Sequence, residues 1–264
     1  MRPIDYLIWG WHGFIVNVRL FPRRDLGDMA FRPVLRSKVG PMRVYTPLMD
    51  DNIMSKLEIQ VDGREIRDYF TALSRHLVET AVTSASGKTL HIAEAVNQVM
   101  TRALHAHAIG NKLIFLGNGG SAAIASHMAT DYSKNGDVRS LALNDSSMLT
   151  CLGNDLGYDQ VFSKQIELHA RPGDLVFAIS SSGRSANILN AVKAARDAKC
   201  TVVTLSGFTD DNPLRSLGDI NFYIGSDRYG FVEISHLTIC HVILDFICGL
   251  RVADGGLPVA ATAG

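Results

Sequence analysis

From Lys112 onward, short apolar runs alternate with longer stretches in which apolar positions recur every three or four residues. The short runs give strand candidates at Lys112–Leu116, Arg139–Leu143, Asp174–Ile179, Thr201–Leu205 and Asn221–Ile224. Helical spacing fits residues 121–134, 157–169, 185–197 and 231–249. Alternation of this kind predicts an α/β fold with a parallel sheet and helices on both faces. Upstream, Tyr69, Phe70, Leu73, Leu77 and Val78 recur at helical spacing from Ile66 to about Val82. Ser84 to Gly87 breaks that pattern, and a second helix is expected from Thr89 to Ala108. Two helices before the first strand predict an N-terminal helical hairpin over 62–109, used for packing or oligomer contact.

The ends of the chain read differently. Residues 1–53 mix aromatic and basic clusters with turn formers and show little periodicity, so an irregular or disordered extension is expected. The stretch lacks a charged start and a small-residue cleavage site, which argues against a signal peptide. Met54 is an alternative start, because MSKLEIQ leads directly into the regular part of a domain spanning 54–250. Residues 251–264 are small and contain glycine and proline, and a flexible tail is expected there.

The candidate chemistry gathers at turns between strands and helices. Gly117-Asn118-Gly119-Gly120 follows the first strand, and Ser121 opens the helix after it. Glycines let the backbone approach a ligand, and free N–H groups at the helix start favour an anion. His127 and Asp131 lie four apart on that helix and share a face. Gly117-x-Gly119-x-x-Ala122 also fits a dinucleotide fingerprint, but the acidic residue expected about 20 positions on falls late, at Asp145. A second turn tips the balance. Ser180, Ser181, Ser182 and Ser185 cluster between another strand and helix, and hydroxyls with backbone N–H groups suit a sugar phosphate. In such sheets ligands bind beyond the strand carboxyl ends, where Gly153-Asn154-Asp155 is also expected, before its helix and with Asp155 as a possible cap. Glu233 and His241 lie on a helix that is apolar nearly all round; buried, they need partners. Their separation of about two turns puts them on roughly one side. His236 falls on a different face and reads as structural or as an interface contact, and His91, His105 and His107 read as surface or packing residues.

Charge and cysteine usage narrow the class. The formal net charge is zero, so nothing calls for nucleic acid or an acidic membrane as partner. The four cysteines are scattered without CxxC spacing, as in a reducing cytosol, and a cytoplasmic protein is expected. No uninterrupted apolar run of membrane-spanning length is apparent.

Four blocks, GNGGSAAIASHMATD, CLGNDLGYDQVFSKQI, ISSSGRSANILNAVKAAR and VEISHLTICHVILDFI, resemble the sugar-isomerase (SIS) family in collinear order. The branch they are most similar to is that of the bacterial phosphoheptose isomerases, over about residues 65–250. The resemblance implies a five-stranded parallel sheet flanked by helices, doubly wound and flavodoxin-like. It also implies a homotetramer with sites at subunit interfaces. It implies substrate contacts from Asn118, Gly119, Gly120, Ser121, Asp155, Ser180, Ser181, Ser182 and Ser185, with Asp131 and His241 as the catalytic pair. Some members bind zinc, and the matching ligands are His127, Asp131, Glu233 and His241, for one Zn2+ per subunit. Two of these depart from the family pattern: Asp131 stands for Glu and Glu233 for Gln. The implied reaction converts sedoheptulose 7-phosphate to a heptose 7-phosphate for surface-polysaccharide heptose. The rival expectation is a non-catalytic SIS module that binds a sugar phosphate, or a protein partner as the DnaA-associating relatives do.

Overall fold

The computed structural model describes residues 61–252, residues 258–259 and three strands between residues 4 and 36, with side chains described over 61–250. The chain divides into two units, residues 1–63 and 64–264. In the first, β1 (Ile4–Trp9), β2 (Ile15–Pro22) and β3 (Phe31–Arg36) form an antiparallel sheet in that order, where the sequence reading has an irregular extension. The alternative start at Met54 lies outside the described residues.

The second unit runs α1 (Gly63–Val78), β4 (Ala81–Ser84), β5 (Thr89–Leu90), α2 (Ile92–Ala108), β6 (Leu113–Gly117), α3 (Gly120–Lys134) and β7 (Ser140–Ala142). It continues through α4 (Ser146–Leu156), α5 (Val161–His169), β8 (Leu175–Ser180), α6 (Ala186–Asp197), β9 (Thr201–Gly207), β10 (Ile220–Ile224) and α7 (Tyr229–Ile247). A short antiparallel pair, β11 (Arg251–Val252) with β12 (Pro258–Val259), follows in the stretch read as a flexible tail. The sheet has seven strands in the order β5-β4-β10-β9-β8-β6-β7. The five strands from β10 to β7 are parallel, as expected; β4 and β5 add two antiparallel strands at one edge. Counted in chain order, the parallel strands run 2-1-3-4-5, the flavodoxin-like doubly wound order.

Residues 113–116 and 175–178 are wholly buried, the signature of central parallel strands covered on both faces. Successive side chains alternate between two cores. Leu113, Phe115, Leu175 and Phe177 meet α2, α3 and α7, with the Phe115 and Phe177 rings stacked 4.6 Å apart. Ile114, Leu116, Val176 and Ala178 meet α5 and α6 on the other face. Asp174, fully buried, ties the starts of β6 and β8: it accepts from Lys112 Nζ at 2.7 Å, Lys112 N at 3.0 Å and Arg171 N at 2.8 Å.

Three expectations about the helices change. The N-terminal helices do not make a simple hairpin, because a β-hairpin separates them. Helix α1 stops at Val78, and Val82 buries itself as β4 pairs with β10. His91 is an N-cap, its Nδ1 accepting from Ala93 N at 3.3 Å. The expected helix 157–169 is preceded by α4, whose N-cap is Asp145 (Oδ1 accepts from Met148 N, 2.9 Å). Gly153, Asn154 and Asp155 form the end of α4 instead of a turn, so Asp155 does not cap the next helix. The break comes at Gly157, whose φ of 89° is available to glycine without strain. Finally, α7 is long and apolar enough to cross a membrane by length and composition (19 residues, hydropathy 1.5), which the sequence reading did not expect. Here it is a core helix, with Ile239, Cys240, Ile243 and Leu244 buried against the sheet and α3.

His236 on α7 is completely buried and donates from Nε2 to the Ser206 carbonyl at 3.1 Å. Burial lowers its pKa from 6.5 to about 4. A depressed histidine favours the folded state above the unfolded pKa and loses that contribution as pH falls through the folded one. Stability is therefore expected to fall between pH 6.5 and about 4, by about 3 kcal/mol from this residue. Urea midpoints measured across that range should show the decline, and His236→Gln should flatten it. An equal slope in both proteins would contradict the assignment.

Candidate active site

In the 2-1-3-4-5 order the chain reverses direction across the sheet between β6 and β8, and in open sheets of this kind the ligand crevice lies beyond the carboxyl ends of the strands at that point. Both candidate turns leave from those two strands. After β6, Gly117 has no room for a side chain: a Cβ there would lie 2.6 Å from the Ser121 carbonyl carbon. Gly119 is the N-cap of α3 at φ 52°, and no side chain caps the helix. The first-turn N–H groups of Gly120 and Ser121 are thereby left for an anion.

The loop after β8 is held from within and from behind. Ser180 Oγ accepts from Gly183 N at 3.2 Å and Ser182 Oγ from Arg184 N at 3.3 Å. Ser185 is the N-cap of α6 without a side-chain cap bond. Ser181 Oγ is buried and has no partner among the described residues, so it is free for a ligand oxygen. Gly183, at φ 61°, lies against Asn212, a buried side chain that donates to the Gly207 and Thr209 carbonyls and accepts from Arg215 N. Arg184, inside the serine cluster, pairs with Asp211 at 2.6 Å. The Thr209 hydroxyl and the Arg184 guanidinium hold the Asp211 carboxyl below its ordinary range.

Helices α3 and α7 lie side by side and run in the same direction, as the pairs Gly120/Glu233, His127/His241 and Asn135/Cys248 show. Tyr132, fully buried, locks them by donating its hydroxyl to the Cys240 carbonyl at 3.1 Å. About two turns down from the glycine turn, His127 Nε2 lies 3.2 Å from His241 Nε2 and 3.4 Å from Asp131 Oδ2. The ligand atoms of these three residues fall within 4.8 Å of one another. Two imidazoles and a carboxylate are a donor set suited to zinc. With metal bonds of about 2.05 Å, tetrahedral ligands stand about 3.3 Å apart, close to the 3.2 Å and 3.4 Å that separate His127 from His241 and from Asp131. The His127 side chain is half exposed and Asp131 one-fifth exposed, so the cluster opens to solvent.

Glu233 stands outside that cluster. Its carboxylate rests against Gly120, where a Cβ would collide with it. The start of α3 is a favourable place for a negative group, since the helix dipole points its positive end there. Asp155 is exposed and engaged locally, its Oδ1 accepting from Asn154 Nδ2 at 2.8 Å. Three residues that the sequence reading missed join the site: Asn187, Tyr158 and Asn212. Asn118 and Asn187 exchange amide hydrogen bonds, both 2.9 Å, and the Tyr158 hydroxyl donates to Asn118 Oδ1 at 3.1 Å. Polar residues of this kind carry no periodic signal; only strand order brings them together.

The chain belongs to the SIS domain family, whose match covers residues 75–207. Among its relatives are proteins named phosphoheptose isomerase. That of Solidesulfovibrio magneticus is 38% identical over 181 residues, 66% of this chain and 87% of the relative. That of Aliarcobacter butzleri is 40% identical over 144 residues, 52% of this chain and 76% of the relative. Solved structures agree. A phosphoheptose isomerase from Neisseria gonorrhoeae superposes with a TM-score of 0.60 at 31% identity, covering 70% of this chain and 98% of the other. One from Francisella tularensis gives 0.61 at 26%, covering 71% and 98%.

Proposed function

We propose that this chain is a phosphoheptose isomerase, converting sedoheptulose 7-phosphate to D-glycero-D-manno-heptose 7-phosphate for surface-polysaccharide heptose. One observation carries the reading: α3 begins at the anion-receptive turn and, about 10 Å along, presents His127 and Asp131 to His241. A single rigid helix thus spans the distance between a phosphate-binding end and a proton-transfer end. The likeness to phosphoheptose isomerases over most of their length supports the choice of sugar.

The serine loop (Ser180, Ser181, Ser182, Ser185) binds the phosphate, and the turn Asn118, Gly119, Gly120 and Ser121 binds the adjoining sugar oxygens, with Asp155 at the rim. Phosphate binding is remote from the reacting carbons and contributes to positioning them. Asp131 takes the proton from C1 of the ketose and returns it to C2 of the enediol. His241 moves a proton between the two oxygens, so the exchange is internally balanced. His127, Asp131 and His241 would hold a Zn2+; Glu233, whose carboxylate rests against Gly120 about two turns away, is not a fourth ligand. Such an ion supplies Lewis-acid stabilisation of negative charge on the enediol oxygens. The exposed apolar face of α1 (Ile66, Tyr69, Phe70, Val78) supports assembly with further copies, as a homotetramer. Four unpaired cysteines suit a reducing compartment, and we place the reaction in the cytoplasm.

The test is metal analysis of the purified protein, followed by turnover of sedoheptulose 7-phosphate with and without chelator. Bound zinc with chelator-sensitive turnover is expected. Sugar phosphate binding with neither metal nor turnover would overturn the enzyme reading in favour of a non-catalytic module.

A further inference from the structure

Asn118 lies in the turn after β6, and Asn187 lies in the first turn of α6, directly after the serine loop. These are the two ligand loops of the crevice, and they meet through one pair of amides. Asn118 Nδ2 donates to Asn187 Oδ1, and Asn187 Nδ2 donates to Asn118 Oδ1. The exchange is reciprocal, so each amide fixes the orientation of the other. Asn187 is 3% exposed, so water does not compete for its side of the pair. Tyr158 arrives from a third segment, just beyond the Gly157 break, and donates its hydroxyl to Asn118 Oδ1. Both lone-pair directions of Asn118 Oδ1 are then occupied. Only one amide hydrogen of that side chain is left for a ligand.

We propose that Asn187 and Tyr158 are positioning residues: they clamp the glycine turn to the serine loop through Asn118 and so set the gap that a sugar phosphate must span. The inference rests on the phosphosugar reading of the crevice. Under it, Asn118 acts mainly as the joint between two loops, and its turn meets the sugar through backbone groups. Inorganic phosphate needs only the serine loop, whereas a sugar phosphate needs both loops at the right separation. The clamp therefore matters for the second ligand and not for the first.

The experiment compares calorimetric binding of inorganic phosphate and of sedoheptulose 7-phosphate, with turnover measured alongside, for native protein, Tyr158→Phe, Asn187→Leu, Asn118→Ala and the double variant Asn118→Ala/Asn187→Leu. Tyr158 is 60% exposed, so removing its hydroxyl leaves the core untouched. Tyr158→Phe should weaken sugar phosphate binding about threefold and Asn187→Leu about tenfold, with inorganic phosphate affinity unchanged. The double variant should be no weaker than Asn187→Leu, because one joint is broken only once. Unchanged sugar phosphate affinity in Tyr158→Phe and Asn187→Leu would overturn the clamp. So would equal weakening toward both ligands, which marks a general loss of structure. Absence of turnover by native protein that still binds the sugar phosphate overturns the isomerase reading alone and leaves the clamp comparison intact.

Discussion

His241→Ala is expected to lower kcat for sedoheptulose 7-phosphate about a thousandfold, because the proposed function gives the residue two roles at once. Its Nε2 lies 3.2 Å from that of His127, inside the one His/Asp cluster found among the described residues. As proton carrier between the sugar oxygens it contributes in the range of general acid–base catalysis; a thousandfold is about 4 kcal/mol. As a ligand its loss leaves two donors, too few to hold a divalent ion well. His127→Ala separates the two functions. It should lose metal to a similar degree, measured by elemental analysis, while keeping the proton carrier, and so retain more activity than His241→Ala. Both variants keep the fold, since His127 is exposed and His241 only half-buried. Full turnover by His241→Ala would remove it from the mechanism.

The second large effect is on stability. Gly117→Ala should destabilise the domain by about 2 kcal/mol or more, with a fall in melting temperature of about 4–8 °C. The introduced methyl would meet Ser121 backbone atoms at 2.6 Å. Backbone cannot rotate aside as a side chain can, so the turn itself must open. Sugar phosphate affinity should fall with it, because the N–H groups at the start of α3 move. Gly87→Ala provides the comparison. Gly87, unlike Gly117, has positive φ, 77°, and nothing lies within 4 Å of an added Cβ. It should cost only the conformational strain of about 1–2 kcal/mol and leave ligand binding alone. Equal loss of ligand affinity in the two variants would show that the Gly117 turn has no special part in the site.

The elements and most of the chemistry could be read from the residues in order. The buried strands β6 and β8 are continuous apolar runs, which only a sheet covered on both faces requires. The glycine turn and the serine cluster stood out because each joins such a run to a helical period. His127 and Asp131 are local, four apart on one helix, so their convergence needed no tertiary information. Short-range signals failed where long-range pairing decides the outcome. Residues 81–90 become a β-hairpin because β10 leaves an edge for Val82 to cover, a contact spanning some 140 positions. Helix α4 escaped notice because its cap, Asp145, was weighed as a possible ribose ligand, and the glycine of Gly153-Asn154-Asp155 looked like a break. Glu233 was grouped with His241 by helical spacing, yet its carboxylate lies against the start of α3.

By itself the sequence determined the alternating α/β architecture, the glycine and serine turns, and the shared helix face of His127 and Asp131. Those features depend on periodicity and on spacings of a few residues. Tertiary structure alone decided the strand order that brings the two turns to one crevice, the parallel pairing of α3 with α7, and the clamp of Asn118 by Asn187 and Tyr158. Those depend on contacts between residues 40 to 114 positions apart. Hydrogen-bonding side chains have no period along the chain, so only the folded sheet reveals which of them meet.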